Sequence, residues 1–235
     1  MAPHCVITGS ASGIGLALVK RLIASGWTIS GLDRQAHPRE IEEVIDARRL
    51  DLTDIDAVRH TASDLGRQIV TAFVHCAGVM RADDDPATRH DAGAALWRLH
   101  VGAADILLRQ IAPALPSRDG RVVLISSRAA LGRSGRGLYA ASKAAMASLA
   151  RSWALDLVGR GVTVNVVAPG ATATPMLTDP GRRGAPVMSL PIGRPVEPEE
   201  VAGLIAFLLG PDAGAITGQT IFVCGGATLG TALAP

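Results

Sequence analysis

Short apolar runs alternate along the chain with longer stretches whose apolar residues recur at helical spacing. Cys5-Val6-Ile7, Trp27 to Leu32, Arg48-Arg49-Leu50, Ile69 to His75, Arg121 to Ser127, Val162 to Val167 and Thr220 to Val223 read as strands. Several are continuous Val, Ile and Leu, the pattern of parallel strands covered on both faces. Between them, Gly15 to Ser25, Asp54 to Gly66, Asp91 to Ala114, Tyr139 to Val158 and Glu197 to Leu209 carry the period of helices packed along one side. Glu197-Pro198-Glu199-Glu200 sets acids and a proline at the start of the last helix, as the helix dipole and first-turn geometry favour. The alternation predicts an α/β fold of right-handed βαβ units, with a doubly wound parallel sheet of about seven strands between helical layers. No repeat, low-complexity tract or linker interrupts it, so residues 1–235 are expected to form a single domain. The one irregular stretch, about residues 174–195, is rich in Pro, Gly and Arg and reads as a short lid or binding loop.

Composition narrows the function classes. A chain of 235 residues that is 48% hydrophobic can bury a sizeable core, and its net charge of +2 gives no field that implies nucleic acid or a membrane surface. The longest near-apolar run, Val201 to Gly210, falls far short of the roughly 20 residues of a spanning helix. Met1 to Ile7 carries no basic-then-apolar secretory pattern. Cys5, Cys76 and Cys224 are odd in number and lack CxxC spacing, which predicts a reduced, cytoplasmic protein without a disulfide or metal framework. Rare residues are more informative. Tyr139 is the sole tyrosine, Lys20 and Lys143 the only lysines, and Asn165 the sole asparagine. A biased codon usage explains the scarcity; it does not explain why the tyrosine stands four residues before a lysine.

Two local patterns carry chemistry. Thr8 to Gly15 follows the first strand and opens the first helix, with Gly9, Gly13 and Gly15 allowing a tight turn and a close backbone approach to a pyrophosphate. Helix-terminal amides there would face the phosphates. The spacing is neither GxGxxG nor a P-loop, and alone it fits a purely structural turn equally well. Asp33, 18 residues after Gly15 at the end of the second strand, fits an acid that accepts from an adenosine ribose hydroxyl and repels a 2′-phosphate. That favours NAD over NADP, with Arg34 beside it pulling the other way. The second pattern is Tyr139-xxx-Lys143. A tyrosine is a poor base because its unperturbed pKa is about 10. A lysine at i+4 on the same helix face stabilises the phenolate, giving a base for alcohol oxidation or an acid for carbonyl reduction. Taken alone, such a pair also fits a partly buried helix face.

The chain resembles the classical short-chain dehydrogenase/reductase family over nearly all of its length. The resemblance runs through Thr8-Gly-xxx-Gly-Ile-Gly15, Asp51-Leu52, Ala77-Gly78, Ser126-Ser127, Tyr139-xxx-Lys143, Asn165-xxx-Pro169-Gly170, Thr174 and Gly225-Gly226, in family order. It implies a Rossmann-type fold and an NAD-dependent alcohol dehydrogenase or carbonyl reductase acting on a small molecule. Tyr139 would exchange a proton with the substrate oxygen, while Lys143 binds the nicotinamide ribose and supports the tyrosine. A serine would polarise the substrate oxygen. Ser126 has the commoner family separation from Tyr139, but Ser127 fits the strand register, and register is held more firmly than loop length. Ser127 is therefore the expected residue. The resemblance further implies that Gly9, Ser12, Gly13, Ile14 and Gly15 meet the phosphates, and that Asp51, with Leu52 beside it, meets the adenine. Cys76, Ala77 and Gly78 would pass the adenosine, and Pro169, Gly170, Thr172 and Thr174 would hold the carboxamide. Family members assemble through the fourth and fifth helices and the C-terminal segment, which implies a homotetramer or a dimer.

The chain departs from the family where Leu99-His100-Val101-Gly102 replaces an asparagine motif of the proton relay. His100 is expected either to keep that relay open with a different pH profile or to be a packing substitution. His75-Cys76 likewise stands where two asparagines are common, with Cys76 a small apolar filler. These departures feed a rival of another class, a catalytically impaired nucleotide-binding regulator or scaffold. Ser127, Tyr139 and Lys143 favour the enzyme, and the length leaves no room for the sugar-binding domain of an epimerase. In the lid, Met176, Leu177, Val187 and Met188 imply an apolar lining, while Arg182-Arg183 fit a solvated surface as well as an anion site.

Overall fold

Cys5, Val6, Ile7 and Thr8 have no exposed surface, because helical layers cover both faces of the strand they form. The computed structural model describes residues 2–81, 89–179 and 190–229. Its strands are β1 (His4–Thr8), β2 (Thr28–Asp33), β3 (Asp46–Arg49), β4 (Ala72–His75), β5 (Arg121–Ile125), β6 (Thr163–Pro169) and β7 (Thr220–Val223). They form one sheet in the order β3-β2-β1-β4-β5-β6-β7, every neighbouring pair parallel. The main helices are α1 (Gly13–Ala24), a short α2 (Arg39–Glu42), α3 (Ile55–Leu65), α4 (Arg89–Trp97), α5 (Ala103–Ile111), α6 (Gly137–Leu157) and α7 (Pro198–Leu209).

Strand alternation splits the core in two. Phe73, Val122 and Leu124 join the layer built by α3, α5 and α6, while their neighbours Val74, Val123 and Ile125 join the layer of α1 and α7. That division is why Ala72 to Val74 and Val122 to Ile125 are apolar at successive positions. Each fully buried large side chain contributes about 1.5–3 kcal/mol. The strand order reverses between β1 and β4, so the connections leave in opposite directions and open a crevice at the carboxyl ends of those strands. Asp54 caps α3 by accepting from the Asp56 and Ala57 amides, and the Glu197 amide donates to Glu200 Oε2 at 2.8 Å to start α7.

Four differences from the sequence expectation have physical causes. The helix expected over Asp91 to Ala114 is not continuous: a π turn, Arg98–Gly102, separates α4 from α5. Helix α2 has only four residues, too few to show a period. The strand expected from Ile69 begins at Ala72, and Ile69 itself is 67% exposed outside the sheet. The strand expected to run to Ser127 ends at Ile125, and Ser127 starts a 3₁₀ turn (Arg128–Leu131). The lid region opens with another such turn, Pro175–Thr178. Arg182, Arg183, Val187 and Met188 lie outside the described residues. Among the described residues no helix is long and apolar enough to cross a membrane.

Candidate active site

The crevice is built from loop residues that each strand delivers at its carboxyl end. After β1, the Gly9 amide donates to Leu32 O at 2.8 Å, turning the chain into α1. Ser12 at the start of α1 makes no side-chain cap, so the first-turn amides are left to the cleft that Ser12, Gly13, Ile14 and Gly15 line. Asp33, at the end of β2, accepts from the Ala11 amide at 3.0 Å and from the Gln35 amide at 2.9 Å. A carboxylate has about four acceptor positions, so two amides do not exhaust it. Asp51 accepts from the amide and the hydroxyl of Thr53, both at 2.8 Å, and these bonds hold its carboxyl below the usual range.

The opposite end is built by β5 and α6. Tyr139 is the third residue of α6 and Lys143 stands one turn later; both are buried. Lys143 Nζ donates to Ile125 O at 2.8 Å, and Ser126 Oγ donates to the Lys143 carbonyl at 2.6 Å, tying the strand end to the helix. Burial drives the lysine from its ordinary 10.5 down to about 8. Ser127 Oγ accepts from the Ala129 amide at 3.1 Å, a bond that uses a lone pair and not its proton. Of the two serines, Ser126 has its hydroxyl committed to the backbone. Burial also pushes the Cys76 thiol up to about 12, which suits an inert filler.

One cleft collects Gly9, Ser12, Gly13, Ile14, Gly15, Asp33, Asp51, Leu52, Cys76, Ala77, Gly78, Ser127, Tyr139, Lys143, Pro169, Gly170, Thr172 and Thr174. His100 is the exception. It is fully buried and does not line the cleft. Burial first, then Lys143 and His75, keeps its pKa well below the ordinary histidine value. Its ring therefore stays neutral near neutral pH. The sequence reading also missed Arg81, Arg128 and Arg133, which line the cleft with Met80, Leu96 and Leu190. No local signal separates them from the other arginines of the chain.

The structure superposes with a TM-score of 0.86 on a short chain dehydrogenase family protein from Francisella tularensis, covering 97% of this chain and 100% of that one at 22% identity. A family model described as Enoyl-(Acyl carrier protein) reductase matches residues 9–228. The chain belongs to the short-chain dehydrogenase/reductase family. A 3-oxoacyl-[acyl-carrier-protein] reductase of Thermotoga maritima is similar to this family member at 31% identity, over 94% of this chain and 96% of the relative. A 2,3-dihydro-2,3-dihydroxybenzoate dehydrogenase of Escherichia coli is 33% identical, over 95% and 96%. A blue fluorescent protein from a metagenomic library, solved in complex with NADPH, matches with a TM-score of 0.84 at 30% identity, over 95% and 97%. Short-chain dehydrogenases and reductases bind nicotinamide cofactors, and this member is an oxidoreductase by family.

Lys143 offers a test of burial against function. The folded chain gives up this proton near pH 8 and an unfolded lysine near 10.5, so the charged ammonium weakens folding. Stability contributed here rises as pH climbs between those values. At pH 7 the shift corresponds to roughly 3 kcal/mol, against about 1 kcal/mol for the lost bond to Ile125 O. Lys143→Met is therefore expected to raise the melting temperature of the cofactor-free protein while turnover falls by about two orders of magnitude. A thermal melt beside a rate assay decides it, and a lower melting temperature at pH 7 contradicts the burial argument.

Proposed function

We propose that this protein is an NAD-dependent oxidoreductase that interconverts a secondary alcohol and its ketone, with Tyr139 as the general acid and base. The observation that carries the reading is the placement of Tyr139, Lys143 and Ser127 at one end of a cleft whose other end holds Asp33 and Asp51. The residues present fit the cofactor. Uncapped α1 amides suit a pyrophosphate, and Asp33 keeps acceptor capacity for ribose hydroxyls. When bound, the cofactor supplies the hydride acceptor or donor. The chain supplies the rest: Ser127 donates to the substrate oxygen, Tyr139 exchanges its proton with that oxygen, and the Lys143 ammonium stabilises the phenolate.

Met80, Leu96, Met176, Leu177 and Leu190 give the substrate end an apolar lining, and Arg81, Arg128 and Arg133 give it guanidinium groups. The apolar residues support a substrate with an apolar body, while the Arg81 guanidinium is paired with Asp179 at 3.4 Å. The relatives named above act, by their names, on a 3-oxoacyl-[acyl-carrier-protein] and on a 2,3-dihydro-2,3-dihydroxybenzoate. Exposed Leu155 and Val158, at and just past the end of α6, and Phe207 on α7 support assembly as a homotetramer through those helices.

The cofactor preference is the sharpest part to test, since solved relatives carry NADPH. A carboxylate beside the 2′ position repels a phosphate there, while Arg34, which also lines the cleft, attracts one. Initial rates over a panel of secondary alcohols and ketones, followed by nicotinamide absorbance, should show kcat/KM at least about tenfold higher with NAD(H) than with NADP(H). Asp33→Ser should reverse the order, because it removes the repulsion and leaves Arg34. A wild type that prefers NADP(H) overturns the cofactor assignment. Absence of turnover with either cofactor across the panel overturns the enzyme and supports the regulator.

A further inference from the structure

Two fully buried histidines stand behind the cleft, and hydrogen-bond direction together with burial fixes the state of both rings. His75, at the end of β4, has Nε2 3.1 Å from Leu99 O and Nδ1 2.9 Å from Thr8 Oγ1. A carbonyl can only accept, so Nε2 carries the proton; burial holds the ring neutral, with its pKa down at about 3, and Nδ1 therefore accepts from the Thr8 hydroxyl. The Thr8 oxygen in turn accepts from the Ala77 amide at 3.1 Å. His100, inside the π turn, accepts at Nε2 from the Val79 amide at 3.2 Å. An amide N–H can only donate, so the His100 proton is on Nδ1, which donates to Ser142 Oγ at 2.9 Å. Ser142 passes its own proton to Tyr139 O at 2.8 Å. Every donor has one acceptor, and the two rings are opposite tautomers.

We infer that His75 and His100 are a pair of neutral positioning residues that clamp the π turn to the end of β4 and, through Ser142, to the helix carrying Tyr139 and Lys143. Neither ring can pass a proton onward. The unprotonated nitrogen of His100 faces an amide that cannot give up its hydrogen, and its protonated side leads through Ser142 to a backbone carbonyl. The clamp acts on reactive atoms through Gly78. A Cβ placed on Gly78 would lie 3.1 Å from Lys143 Nζ and 3.2 Å from His100 Nε2, so the ammonium and the ring flank the same stretch of backbone. The His100 ring also meets Tyr139 edge-on, with centroids 5.8 Å apart. The ionisable groups facing His100 are therefore Lys143 and Tyr139 on α6 and His75 on β4. A cationic His100 would set a second positive charge against Lys143; the amide of Val79 holds it neutral instead.

The catalytic half of this inference rests on the proposed oxidoreductase, whereas the tautomers can be read without any turnover. Long-range proton–nitrogen correlation on protein labelled with ¹⁵N-histidine, followed from about pH 5.5 to 9, should show two rings that do not titrate. His100 should be the Nδ1–H form and His75 the Nε2–H form, each assigned by its loss in His100→Asn or His75→Asn. In steady-state assays His100→Asn, whose amide can still accept from Val79 and donate to Ser142, should keep kcat within about tenfold of wild type. His100→Leu, which leaves both partners unsatisfied, should lose about 100-fold in kcat with cofactor affinity changed less than about threefold. The pH profile of kcat/KM should keep its inflections in both variants. Titration of either of these two rings between about pH 5.5 and 9, matching tautomers in the pair, or an inflection displaced by about one unit in His100→Asn overturns the clamp in favour of a relay. If His100→Leu does not fold, the spectra and the asparagine variant still decide.

Discussion

Tyr139→Phe abolishes measurable turnover, lowering kcat by about 10³-fold or more, while the protein unfolds and binds cofactor as the wild type does. A positioned general acid or base contributes roughly 10²–10⁴-fold, and this substitution removes one oxygen and its proton. The ring itself is retained. It packs with Met80, Leu96 and Ala129 and meets His100 edge-on, so phenylalanine fills the same space. Replacement by another phenol is excluded, because the chain has a single tyrosine. The other hydroxyl groups at that end are those of Ser126, donated to the Lys143 carbonyl, and Ser127, whose unperturbed acidity is far below that of a phenol. Steady-state rates beside a thermal melt and a cofactor titration check all three expectations. Turnover within about tenfold of wild type removes Tyr139 from the chemistry, whereas loss of melting temperature alone marks a packing residue.

The difference between what could and could not be read from the sequence is one of range. Strands such as Val122–Ile125 are legible because alternate residues enter two separate cores, which makes the whole run apolar. The glycine turn, Asp33 and the Tyr139–Lys143 pair are legible because each motif is local and fixed by backbone geometry over a few residues. The π turn is not local. Leu99 to Gly102 reads as ordinary helix, and its bracing partners His75, Val79 and Ser142 lie 24, 21 and 42 residues from the atoms they bond. Burial is likewise a property of the assembled fold, and so the sequence could identify His100 as a histidine in an unusual place without showing that it stays neutral. Arg81 follows β4 whereas Arg128 and Arg133 share the connection from β5 to α6, and only the fold brings the two segments to one cleft.

Gly15→Ala should be the most damaging single-methyl change in the chain's glycine turn. Its backbone has no unusual φ, and the reason for glycine is space alone. A Cβ there would lie 2.0 Å from Gly9 O, 2.7 Å from Gly9 C and 3.1 Å from Ser10 Cα, all backbone atoms. Gly9 cannot retreat: its amide is bonded to Leu32 O, and a Cβ on Gly9 itself would already lie 2.8 Å from the Ala77 backbone. Relief must come from α1 moving away from β1, which displaces the amides proposed to hold the pyrophosphate. Overpacking a rigid site costs about 3 kcal/mol, equivalent at this chain length to a melting temperature lower by roughly 10 °C. Cofactor affinity should fall at least tenfold, by about 1.4 kcal/mol or more. Gly26→Ala is the matched control. Gly26 has φ +80° with nothing within 4 Å of a Cβ, so it should lose about 1 kcal/mol from left-handed backbone strain and leave cofactor binding unchanged. Equal losses at the two positions would show that Gly15 is constrained by backbone conformation rather than by the close approach of Gly9, and the steric origin of the turn would be lost.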